Sequence, residues 1–111
     1  MEQERRRTPR YPFAANAEVS EEKTNTPLKA RVSELSLNGC YVTTNTPMAQ
    51  GTKVDVKINT ESDFFEANGT VIYSNPDAGM GLMFLETKPY YMSVLKKWLL
   101  AAMINKSKPR A

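Results

Sequence analysis

Lys53-Val54-Asp55-Val56-Lys57-Ile58-Asn59 decides the fold class. Its β-branched apolar residues alternate strictly with charged ones. A period of two places Val54, Val56 and Ile58 on one face of a half-buried strand. The same period recurs on both sides of this stretch. Upstream, Phe13, Ala15, Ala17 and Val19 alternate with small or polar residues from Tyr11 onward. Leu28, Ala30, Val32 and Leu35 begin a second extended segment, which Ser36-Leu37-Asn38-Gly39 interrupts with turn chemistry before Cys40-Tyr41-Val42-Thr43 resumes it. Downstream, Phe64 to Tyr73 reads as a strand with a bend or bulge at Gly69, and Ser74-Asn75-Pro76-Asp77 as a turn. Met80, Leu82 and Phe84 alternate in a last strand.

After Glu86 the period becomes helical. Thr87 is a candidate cap, Pro89 suits a first turn, and the expected helix covers 88–105. Tyr91, Val94, Leu95, Trp98, Leu99 and Ala102 share the face that should close over the sheet. Leu100 and Ile104 fall on the opposite side, a candidate partner surface that makes a homodimer through this helix an expectation. Short strands joined by short turns point to an all-β antiparallel barrel or sandwich, with an open sheet under a helix as the main alternative. Thr-Asn-Thr-Pro occurs at 24–27 and 44–47, but the flanks differ, so it is repeated turn chemistry and not an internal repeat.

A length of 111 residues suits a single domain. The expected division is an Arg-rich arm at 1–9, a barrel at 10–86 and the helix at 88–105. Hydrophobic residues make up 41% and charged residues 24%, a balance that supports a buried core. No stretch approaches the ~20 apolar residues of a membrane span, so no membrane insertion is expected. The charged opening MEQERRRTPR has no apolar segment behind it, unlike a secretory leader. The expected location is cytoplasmic.

Two absences narrow the chemistry. There is no histidine, the commonest general base and metal ligand, and only one cysteine, Cys40. Cys40 sits in an apolar run, with no histidine to activate it, and reads as a core residue. No enzyme, metal site or cofactor is expected. Charge is segregated along the chain. Residues 1–10 hold four arginines against two glutamates, residues 11–86 five basic against ten acidic side chains, and residues 87–111 six basic and no acidic ones. A nucleic-acid binder usually carries a basic face across its folded body. An acidic body between basic ends argues against that class and suits a small anionic ligand.

Two motifs stand in order. Arg5-Arg6-x-x-x-Arg10 precedes the first strand, and Glu34-x-Ser36-x-x-Gly39 spans the turn after the second. With Gly79-Met80-Gly81-Leu82-Met83-Phe84 near the end, the chain resembles the PilZ domain over nearly its whole length. The signature of that family is RxxxR followed by (D/N)xSxxG. The resemblance implies a six-stranded antiparallel β-barrel with a C-terminal α-helix. Many members bind cyclic di-GMP, often as an intercalated pair, and pass the signal to an effector protein or an attached domain.

The chemistry agrees with the resemblance. The O6 and N7 edge of guanine matches an arginine fork, whose plane also stacks on purines. The N1–H and N2–H edge needs an acceptor. By carry-over, Arg5, Arg6 and Arg10 bind guanine and phosphate, and Glu34, Ser36 and Gly39 form the floor. Ser36 either bonds the ligand or holds the turn, and Gly39 permits a close approach. Glu34 departs from the Asp or Asn of the family by one methylene, which can misplace the acceptor. The alternative reading is therefore an interaction module that binds the nucleotide weakly or not at all.

Overall fold

The computed structural model describes residues 9–24 and 26–107, with side chains through Ile104. Six strands and one helix follow in order. They are β1 (Tyr11–Glu21), β2 (Pro27–Leu35), β3 (Gly39–Thr43), β4 (Lys53–Asn59), β5 (Phe64–Asn75), β6 (Gly79–Glu86) and α1 (Pro89–Ser107). Every strand pairing is antiparallel, and the sheet closes in the order β1-β2-β3-β6-β5-β4. Two three-stranded meanders thus meet along the β3–β6 and β1–β4 seams. The barrel, and not the open sheet, is the fold.

The alternation seen in the sequence is the inside–outside alternation of the barrel wall. Val19, Val32, Leu35, Val42, Val54, Val56, Ile58, Phe65, Val71, Met80 and Leu82 fill the interior. Full burial of each such side chain contributes ~1.5–3 kcal/mol. The β2–β3 ladder slips between Val32 and Glu34, which lets Leu35 point inward beside Cys40. The β5–β6 ladder slips between Asn68 and Gly69, the bulge expected there.

Helix α1 lies against β1 and β5. Val94, Leu95, Trp98 and Ala102 are buried, so the predicted face is the one that docks. Trp98 packs on Phe13 (ring centroids 5.3 Å apart) and Phe65 (6.2 Å). The helix begins one residue later than expected, with Pro89 in its first turn. Thr87 is not the cap: the Lys88 carbonyl accepts the first helical bond from the Met92 amide at 2.9 Å, which puts Lys88 at the capping position. A second tie comes from the β4–β5 loop, where Asp63 accepts a hydrogen bond from Lys97 Nζ at 2.9 Å. No helix among the described residues is long and apolar enough to cross a membrane.

Candidate functional site

The site assembles at the seam where β1 starts and β2 ends. Tyr11 lies opposite Leu35 and Pro12 opposite Glu34, so Arg10 comes down beside the Ser36 turn. Arg10 Nη1 donates to Glu34 Oε1 at 3.2 Å, although the two residues are 24 apart in sequence. The same nitrogen reaches the Tyr73 hydroxyl at 3.5 Å. Burial works against the Arg10 charge, but the Tyr73 phenol and the Glu34 carboxylate more than offset it, and its pKa lies above the ordinary value. Arg10 is a permanent cation at the mouth of the site.

The Ser36 turn forms the floor. Ser36 is buried, and its Oγ accepts the amides of Asn38 (3.3 Å) and Gly39 (3.2 Å) while donating to the Gly39 carbonyl (3.3 Å). The Ser36 amide donates to the same carbonyl at 2.9 Å. Of the two expected roles, the geometry favours holding the turn. Gly39 opposes Met83 across the β3–β6 seam, and a Cβ there would run into the Leu82 carbonyl oxygen. The glycine is needed for close approach of two backbones.

These residues line one cleft of about 220 Å³. Two of its walls were not singled out in the sequence: Tyr41 on β3 and Tyr73 on β5. Their rings are near parallel, 28° apart, with centroids 6.0 Å apart. Tyr41 points to the outer face of the barrel because Cys40 and Val42 on either side point in, and the slip of the β5–β6 ladder between Val71 and Tyr73 takes Tyr73 off the inward face of Val71. The available signal was two outward tyrosines on strands whose common neighbour, β6, carries Gly79 and Gly81. It becomes readable only once the strand order is known.

Arg10, Glu34, Ser36 and Gly39 are therefore brought together. Arg5 and Arg6 lie outside the described residues. Cys40 lines the back of the cleft, but burial pushes its thiol pKa up to about 12, so it stays protonated and unreactive. Among the described residues, no group of three or more His, Cys, Asp or Glu side chains is placed to hold a metal ion.

No curated protein matches the chain by sequence. Solved structures do resemble it in fold. The PilZ domain of YcgR from Escherichia coli, solved with c-di-GMP, superposes with a TM-score of 0.77 at 16% identity, covering 92% of this chain and 94% of that one. A YcgR structure in complex with c-di-GMP gives a TM-score of 0.77 at 17% identity over 92% of this chain and 47% of its own length. The Bacillus subtilis inhibitor of motility (MotI/DgrA) gives 0.75 at 15% identity over 93% and 53%. The chain thus spans nearly all of the isolated YcgR domain but only about half of these two longer proteins. The PilZ domain family matches residues 4–101, a span holding both motifs, all six strands and most of the helix. This chain belongs to the PilZ domain family.

Proposed function

We propose that this domain is a receptor for cyclic di-GMP that signals to a separate effector protein. The observation that carries the reading is the convergence of Arg10, Glu34 and the Ser36–Gly39 turn on one cleft. Arg10 offers a fork to a guanine O6/N7 edge or a phosphate. Glu34 supplies the acceptor for the opposite guanine edge, and Arg5 and Arg6 add charge from the arm. Ser36 and Gly39 act indirectly by fixing the floor. YcgR, which has the same fold, is solved with this nucleotide. Isothermal titration of the full chain with cyclic di-GMP tests the reading. Binding is expected, and Arg10→Ala should weaken it roughly five- to hundred-fold, the cost of one base-readout pair at ~1–3 kcal/mol. No heat at high micromolar nucleotide would falsify it.

The Arg10–Glu34 ion pair favours a second reading, in which the domain is an interaction module tuned away from the nucleotide. Glu34 already occupies the fork that a ligand would take. Glu34→Asp draws the carboxylate back by one methylene and separates the two readings by sign. A gain of more than about tenfold (~1.4 kcal/mol) supports the module, and unchanged or weaker binding supports the receptor. On either reading the cytoplasm is the proposed location.

A further inference from the structure

Tyr41 and Tyr73 flank β6 from either side, both opposite Gly81 in the two ladders. Gly79 and Gly81 hold the outward positions of that strand between buried Met80 and Leu82. The rings lie over these two residues. A Cβ on Gly81 would come within 3.0 Å of three ring atoms of Tyr73, and one on Gly79 would lie 2.8 Å from the Tyr41 hydroxyl oxygen. Side chains at these positions would lift both rings off the wall. Each phenol is also held at its far end, Tyr41 by Asn75 Nδ2 at 3.0 Å and Tyr73 by Arg10 at 3.5 Å. The result is a pair of near-parallel, half-buried rings along the side of the cleft, joined to Arg10.

We infer that the Tyr41–Tyr73 pair is a stacking subsite for a purine base, one that recognises the face of the base while Arg10 and Glu34 recognise its edges. The inference rests on the cyclic di-GMP reading of the cleft. Motif residues supply charge and hydrogen bonds, but a nucleobase in water also presents two apolar faces. A ring fixed in advance loses little entropy when a base settles on it. The Tyr73 hydroxyl ties this surface to the Arg10 fork, so the two can act on one base together.

The test titrates cyclic di-GMP into the full chain and into two double variants, Tyr41→Leu/Tyr73→Leu and Tyr41→Phe/Tyr73→Phe, with thermal unfolding as the control. The leucine variant should bind roughly five- to hundred-fold more weakly, the range of base–aromatic stacking. The phenylalanine variant keeps both rings but loses the bonds to Arg10 and Asn75, so it should bind more tightly than the leucine variant. Should the leucine variant fail to fold, the wild type still decides: saturating nucleotide should shift the NMR ring-proton signals of Tyr41 and Tyr73 upfield. Unmoved ring signals, or a folded leucine variant that binds like wild type, overturn the subsite and leave the receptor reading standing. A wild type that binds no nucleotide overturns both.

Discussion

The Ser36 hydroxyl is used wholly inside its own turn, accepting two amides and donating to one carbonyl. Ser36→Ala takes this acceptor from both amides in a buried setting. The expected destabilisation is ~1–3 kcal/mol by urea unfolding. A change below about 0.5 kcal/mol, ordinary for a surface substitution, would show that the turn holds without it. Gly39→Ala acts through space. Its methyl group meets backbone, not a movable side chain, so the β3–β6 seam must open. A loss of ~1–3 kcal/mol, as for overpacking, should appear in the unfolding midpoint. Nucleotide affinity should fall too, because the floor moves with the seam. In the sequence, Ser36 and Gly39 were visible as a motif, but their division of labour was not. That division depends on Leu82, which is far along the chain and adjacent only in the closed barrel.

At the level of elements, the helix is fastened to the barrel in two ways. Trp98 and Leu95 bury apolar surface against the wall, and Asp63 clamps Lys97 from the β4–β5 loop. Hydrogen bonding from Lys97, with further bonds from Ser62 and Trp98, holds the Asp63 carboxyl below its ordinary pKa. The unfolded chain therefore takes up this proton first as pH falls. The stability that the clamp supplies is present above the unfolded value, about 3.9, and drains away below it as the folded carboxyl protonates. Wild type and Asp63→Asn should differ in urea midpoint at pH 6 and converge under strongly acid conditions. A gap independent of pH would remove the clamp from the account. Strands and docking face were legible because both are local periodicities: β4 alternates residue by residue, and the Trp98 stripe repeats along α1. The Asp63–Lys97 clamp and the tyrosine pair were not, since each joins elements whose adjacency is set by closure. Thr87 was misread for a local reason. Thr87 is the last residue with a capping side chain before Pro89, but the first helical hydrogen bond starts one residue later, at Lys88.

For the whole molecule, charge and apolar surface are partitioned. Ten of the twelve acidic residues belong to the barrel and its loops, while the segment from Thr87 onward is basic. Leu100 and Ile104 stay more than half exposed on the outer side of α1 (56% and 54%). If this side mediates the proposed homodimer, Leu100→Glu/Ile104→Glu should shift sedimentation from dimer to monomer and leave thermal stability nearly unchanged. A wild type that sediments as a monomer at high micromolar concentration would remove the dimer.

Closure has one more consequence. Each of the six strands has a neighbour on both sides, so the wall has no full-length open edge along which a guest polypeptide could lie down as a seventh; short stretches, among them 11–15 of β1 and 27–30 of β2, lack a partner on one side. On the proposed reading, the protein that receives the message would chiefly recognise side chains on the outside of a finished cylinder, where a single substitution can erase the contact without disturbing the staves.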